Sequence, residues 1–392
     1  MKKMKQRALL IADGHLNLIW PLPRLLHQAG AHLTLLAPRA QCFRRSRFVK
    51  EWLDFPLDAA TPATVAQVER HLHAYRYDLV VLVSPPLVGQ LFQNTPPPAW
   101  MSAWFRPDLL RVLSSKTDFQ TWASANHLPI PSGRFVTTPD EAVAGVTQQG
   151  ASVIKLDGTA GGQGVKLVTT AEEVRSAWHA LRNPAGAVLQ KYIVGKVGCT
   201  ELIVQRGQVA AWFASFKERS VTPFGASIMR RLVNPPGMAA LVAAVATATG
   251  FHGLCGFDWI LDENGKIWLL EFHPRTPSGF GWGRYAGVDV PAALRDLLDE
   301  CPAITRAPLP AEQLARAPRC CSFPAHFWFA LTQQQSDLRY WLPGVNAVAW
   351  RNVPFDDPAL LASVCTFALR RLARRHLPRW GCNFPGLENG TA

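Results

Sequence analysis

Two acids set inside apolar runs, on either side of a tight turn, constrain this chain more than any other feature. Residues 255–275 read CGFDWILDENGKIWLLEFHPR. The apolar and aromatic runs 257–261 and 266–270 flank Asp262-Glu263-Asn264-Gly265, a turn signal, so the stretch reads as an antiparallel hairpin. Side chains alternate along a strand, and an acid inside such a run points into a core or into a site. Asp258 and Glu271 stand at the open ends of the two strands, at similar distances from the turn, so pairing brings their carboxylates together. Two close carboxylates repel unless a cation joins them. Hard oxygen ligands that leave coordination positions open are what Mg2+ uses when it also holds phosphates. An ordinary hairpin with polar ends is the plainer reading of the same residues.

A second constraint lies upstream. The apolar strand 152–156 carries Lys155 and runs into Asp157-Gly158-Thr159-Ala160-Gly161-Gly162-Gln163-Gly164, and the strand resumes at 165–168. Glycines let backbone N–H groups approach a polyphosphate, and Lys155 adds a point charge. The lysine precedes the glycines, the reverse of a Walker loop, and a plain hairpin turn is again the alternative.

Around these two stretches the chain alternates elements. Strands at 8–12, 32–37 and 78–83, with a helix at 16–30, give a small parallel sheet. The loop after the first strand lacks GxGxxG, which removes support for dinucleotide binding. Pro85-Pro86 and Pro96-Pro97-Pro98 mark irregular chain. Helices follow at 108–113 and 116–126, then a strand at 135–137, a helix at 140–149, a helix at 171–182, and strands at 187–193, 201–204 and 208–216. Segments 320–331 and 340–350 read as aromatic strands and 358–376 as a helix ending in arginines at 370, 371, 374 and 375.

Length and composition set the class. A chain of 392 residues with 48% hydrophobic and 18% charged residues is a soluble globular protein of two or three domains. Its longest small or apolar runs, 238–250 and 320–331, fall short of the roughly 20 residues that cross a bilayer. Eight cysteines without CxxC or zinc-type spacing fit reduced thiols and a cytoplasmic location. A formal charge of +13 favours anionic ligands.

In order along the chain, a lysine opening a helix before Pro129-Ile130-Pro131, a strand lysine before a glycine hairpin, Gln190-Lys191-Tyr192-Ile193, an Asp in a strand and Glu271-Phe272-His273-Pro274-Arg275 resemble the ATP-grasp superfamily of ligases. The likeness, from about Lys116 to Leu298, is to the carboxylate–amine ligase type, with a domain like that of carbamoyl-phosphate synthase and biotin carboxylase. It implies an α/β (α+β ATP-grasp) chain: an N-terminal parallel α/β domain at 1–106, two lobes clasping ATP at 107–300, and a C-terminal extension at 301–392. Lys116, Lys155, Gly161, Gly162, Gln163, Gly164, Gln190, Lys191, Tyr192, Ile193 and Glu201 would bind ATP. Asp258, Glu271 and His273 would hold Mg2+, with Mn2+ as the alternative because His273 stands where the family usually has Asn. Arg275 would neutralise the transferring phosphoryl group, and Arg230 and Arg231, with Lys217 and Arg219, would meet the acceptor substrate.

The implied reaction joins a small-molecule carboxylate to an amine through an acyl phosphate, releasing ADP and phosphate. A kinase that stops at phosphorylation is one alternative, and a non-catalytic nucleotide-responsive scaffold that binds nucleic acid or anionic lipid is another. For the enzyme, nucleic acid is not an expected partner, peripheral membrane contact through the C-terminal segment is open, and a homodimer is compatible.

Overall fold

The computed structural model describes residues 7–12, 20–55, 62–83, 109, 112–113 and 115–376, with single-position gaps at 158, 160, 161, 163, 183, 221, 223 and 343. Three sheets organise them. The first takes β1 (Arg7–Ile11), β2 (His32–Ala37), β3 (Glu51–Asp54) and β4 (Leu79–Leu82) in the order β3-β2-β1-β4, all parallel. β1, β2 and β4 are near-continuous apolar runs because both faces of a parallel sheet are covered. The helix read at 16–30 is Leu22–Gln28 among the described residues; Pro21 caps it and Pro23 lies in its first turn, where a missing N–H costs nothing. The proline-rich segments at 85–98 and most of the helix read at 108–113 lie outside the described residues.

The second sheet, β5 (Gly133–Val136), β6 (Ser152–Lys155), β7 (Val165–Val168) and β8 (Ala187–Lys191), has the antiparallel order β5-β8-β6-β7. Helices Pro139–Gln149 and Ala171–Ala180 cover it and start alike. Thr138 and Thr170 accept from the backbone N–H of Glu141 and Glu173, whose carboxylates accept in return from Thr137 and Thr169. This unit has its own core, built on Val136, Val146, Ile154, Val168, Trp178 and Leu189.

The third sheet carries the acidic hairpin. β9 (Gly195–Gln205), β10 (Gln208–Ser220), β11 (Ser227–Val233), β12 (Gly253–Asp262), β13 (Ile267–His273) and β14 (Cys320–Cys321) run antiparallel in the order β13-β12-β9-β10-β11-β14. β12 and β13 form the hairpin read from the sequence, with Asp258 opposite Glu271. On the neighbouring strand Gly198 pairs with Trp259, which is fully buried. A Cβ at Gly198 would lie 2.3 Å from the indole, so glycine is what lets the ring sit there.

Beyond residue 300 the expectation of two aromatic strands is overturned. Within the two described segments only Cys320 and Cys321 pair as strand; Ala325–Thr332 and Ala347–Arg351 are helices, and Gln335–Trp341 is a 3-10 helix. Aromatic content reported burial and not backbone: Trp341 stacks on His326 and meets Phe327 and Trp350 edge-on. The helix Pro358–His376 is as expected. No described helix is long and apolar enough to cross a membrane.

Replacing Gly198 by Ala should destabilise the chain by about 1–3 kcal/mol, because the buried indole has no room to retreat. Urea unfolding reads this; an unchanged midpoint would mean that the sheet yields there.

Candidate functional site

Strand register assembles the site. Asp258 opposes Glu271 on one side and Cys199 on the other, and Cys199 in turn opposes Ser215. Cross-strand partners share a face and residues two apart return to it, so Glu271, His273, Asp258, Cys199, Glu201, Ser215 and Lys217 face the same way. The carboxylate oxygens of Asp258 and Glu271 and an imidazole nitrogen of His273 lie within 4.8 Å of one another. His273 Nε2 is 3.4 Å from Asp258 and 3.8 Å from Glu271. The Lys217 ammonium donates a short hydrogen bond to the other Asp258 oxygen. Burial alone would raise the Asp258 pKa; Lys217 and then His273 outweigh it and hold the carboxyl well below the usual range.

Two further cations border these acids. The side chain of Lys155, half-buried at the end of β6, makes no hydrogen bond or ion pair among the described residues. Its pKa is lowered to about 8, chiefly by burial and by Lys116 nearby, against the pull of Glu271 and Asp258. Arg275 is also half-buried, and its pKa is lowered by burial against the same two carboxylates. Lys155, Lys217 and Arg275 thus stand around Asp258 and Glu271. Two carboxylates and an imidazole around one point suit a divalent cation.

Lys116 lies beside Lys155 but is occupied. Its Nζ donates to the carbonyls of Leu156 and Thr159 at 2.7 and 2.9 Å. Asp157 closes the same junction by accepting from the backbone N–H of Lys116 at 2.5 Å and from the Ser115 hydroxyl at 2.9 Å, a carboxylate at a helix N-terminus. Gly162 (φ +80°) lies at the loop tip against Phe224, whose carbonyl oxygen would be 2.5 Å from a Cβ there. Gly164 closes the turn, and Gly161 and Gln163 lie outside the described residues. Gln190 is buried and donates to Gln120 Oε1 at 2.6 Å, while Lys191 is exposed and Tyr192 and Ile193 are half-buried.

Glu201, Arg230 and Arg231 are placed differently. Glu201 and Arg230 make a buried 2.6 Å ion pair, and Arg230 also donates to Ser278 and lies over the Trp282 ring. Burial raises the Glu201 pKa against the pull of Arg230. Arg231, the next residue along β11, sits on the opposite face of the sheet, over Phe216 and 3.0 Å from Glu218. Arg219 is bound by Asp337. Sequence reasoning missed the roles of Asp157, Gln120 and Ser278. It also placed Lys217 at the acceptor and not on Asp258; the parity of Ser215 and Lys217 along β10 was the signal.

No protein-family model matches the sequence. Over 62 residues, 16% of this chain and 16% of the relative, it is 40% identical to a 5-formaminoimidazole-4-carboxamide-1-(beta)-D-ribofuranosyl 5'-monophosphate synthetase of Ignicoccus hospitalis. Solved structures match far more of it. The biotin carboxylase domain of Hydrogenobacter thermophilus 2-oxoglutarate carboxylase, in complex with MgADP, ADP and bicarbonate, is 14% identical with a TM-score of 0.61, over 77% of this chain and 71% of that one. The L-amino acid ligase of Bacillus licheniformis is 18% identical at 0.56, over 80% and 77%. The N5-carboxyaminoimidazole synthetase of Staphylococcus aureus, complexed with ADP, is 12% identical at 0.59, over 78% and 81%. Together with the sheet order, these likenesses show that the chain has the ATP-grasp fold. Within that fold its neighbours include both carboxylases and ligases.

Removing Arg230 as Arg230→Met should cost about 3–5 kcal/mol by stranding the Glu201 carboxylate, whereas Arg230→Met with Glu201→Leu should recover most of the loss. Urea unfolding of both single variants and the double variant measures the coupling; additive losses would mean that the pair does not act as a unit.

Proposed function

We propose that this chain is an ATP-dependent ligase that joins a carboxylate to an amine through an acyl phosphate, releasing ADP and phosphate. The observation that carries the reading is the cross-strand pairing of Asp258 with Glu271, with His273 close enough to share one ion. A kinship of fold with an L-amino acid ligase and with structures holding ADP supports it. Asp258, Glu271 and His273 hold Mg2+, with Mn2+ admitted by the imidazole. When bound, that ion supplies charge neutralisation for the γ-phosphoryl group.

The chain's own residues do the rest. Lys155 and the glycine loop hold the polyphosphate, Lys116 steadies that loop through the carbonyls of Leu156 and Thr159, and residues 190–193 line the adenine. Arg275 meets the phosphoryl group and the substrate carboxylate. A carboxylate oxygen attacks the γ-phosphorus, the bond to the β–γ bridging oxygen breaks, and ADP leaves. The amine nitrogen then attacks the acyl carbon, the bond to the phosphate oxygen breaks, and nitrogen gives up its proton. Arg230, committed to Glu201 and Ser278, acts by positioning the loop at 276–283 that borders the acceptor. Arg231 acts at most indirectly, from the far face of the sheet.

Three measurements test this. Glu271→Gln keeps the shape and removes a charge, so ATP turnover should fall by at least about 100-fold and Mn2+ binding in the presence of a non-hydrolysable ATP analogue should weaken in parallel. Near-normal turnover at saturating Mg2+ would remove the metal assignment. His273→Asn should be milder and shift preference from Mn2+ towards Mg2+, because an amide oxygen is the harder ligand. Lys155, charged below about pH 8, should make ADP affinity in metal-free buffer fall as pH rises through 8, by up to about tenfold per unit. Lys155→Met should flatten that profile; an unchanged profile would place the phosphates elsewhere. Product analysis separates ligase from kinase, since only the ligase consumes an amine.

A further inference from the structure

The turn at 42–47 and the start of the C-terminal helix, far apart in the sequence, meet at one junction. The 3-10 turn Cys42–Arg45 packs against the helix Pro358–His376, with Cys42, Phe43, Leu360 and Val364 in one core. Asp357 fixes the junction by accepting from the Ser46 hydroxyl at 2.6 Å and from the Arg47 backbone N–H at 3.1 Å. Arg45, Arg47 and Arg351 are exposed, and none makes an ion pair among the described residues. Nearby acids are already engaged: Asp357 is buried, Asp356 pairs with Arg24, and Asp54 pairs with Arg39.

Apolar side chains stand exposed on the same C-terminal elements. Phe355 is 58% exposed and stacks on Trp350 at 6.4 Å, and Leu369 is 65% exposed. Uncompensated guanidinium groups interleaved with exposed aromatic and aliphatic side chains fit a surface that is anionic outside and hydrocarbon within. A nucleic acid would use the charges and could stack on the aromatics, but it has no place for Leu369 or for Val345, which is 58% exposed.

We propose that this face, formed by residues 44–47, 350–355 and the helix Pro358–His376, docks the protein peripherally on an anionic phospholipid surface. The inference stands on geometry remote from the acidic hairpin and is independent of the ligase reading.

Co-sedimentation of the full chain with vesicles tests it. Vesicles of phosphatidylcholine with about 30% phosphatidylglycerol should bind at least about tenfold more tightly than pure phosphatidylcholine, and raising salt from about 0.1 to 0.5 M should release the protein. The triple variant Arg45→Gln, Arg47→Gln, Arg351→Gln should bind about 100-fold more weakly, at about fivefold per interfacial charge. Phe355→Ser with Leu369→Ser should weaken binding at every salt concentration. Near-ultraviolet circular dichroism establishes that each variant is folded. Equal binding to both vesicle types, or a triple variant that binds as the parent does, overturns the proposal. So does tighter binding to single-stranded or duplex DNA than to the anionic vesicles, which would assign the face to nucleic acid.

Discussion

The Asp258 carboxylate is the group on which the rest of the arrangement depends. It is buried on β12, next to a second carboxylate, in a place where an uncompensated charge would cost several kcal/mol. Lys217 supplies the compensation, and it can do so only because β9 holds β10 and β12 on either side in one register. A slip of one residue in β12 would carry Asp258 to the other face and leave the lysine behind, and a slip in β10 would carry Lys217 away from Asp258. The register is guarded where the faces are most apolar, as at Gly198 and Trp259. Packing on one side of the sheet thereby fixes charge on the other.

The end of β10 extends this logic into the C-terminal region. Lys217 serves Asp258, while Glu218, on the opposite face, accepts from both Arg231 and Arg319. Arg219 pairs with the buried Asp337, which stands 3.6 Å from His326, itself accepting from the Trp341 indole at 3.0 Å. Three successive residues therefore couple the acidic hairpin, the outer face and the aromatic cluster. Residues beyond 300 buttress the strand that neutralises Asp258, which accounts for a dense aromatic core so far from the glycine loop.

Much of this was legible in the sequence, and the boundary has physical causes. The hairpin, its paired acids and the strand–lysine–glycine order could be read because period-two alternation and turn chemistry are local. The β2, β7 and Pro358–His376 boundaries came out as read because each run is bounded by turn residues or proline. The aromatic segments after residue 319 were misread because Trp, Phe and Tyr serve a buried helix as well as a strand, and alternation there was weak. Arg230 and Arg231 looked equivalent as a dipeptide. Only the pleat separates them, sending one to Glu201 and the other to Glu218. Asp157 was passed over because its partners, Ser115 and Lys116, lie about 40 residues upstream, a separation that sequence spacing does not reveal.

The four-stranded unit keeps its apolar core to itself. It meets the remainder through Gln190 to Gln120, through Asp157 and its neighbours to the start of the helix Lys116–Ala125, and where the Gly162 tip lies against Phe224. Polar contacts can be traded for water at small net cost, whereas a shared apolar core cannot. The interior of this lobe is therefore complete in itself, and its hydrogen bonds to the helix Lys116–Ala125 add position rather than core.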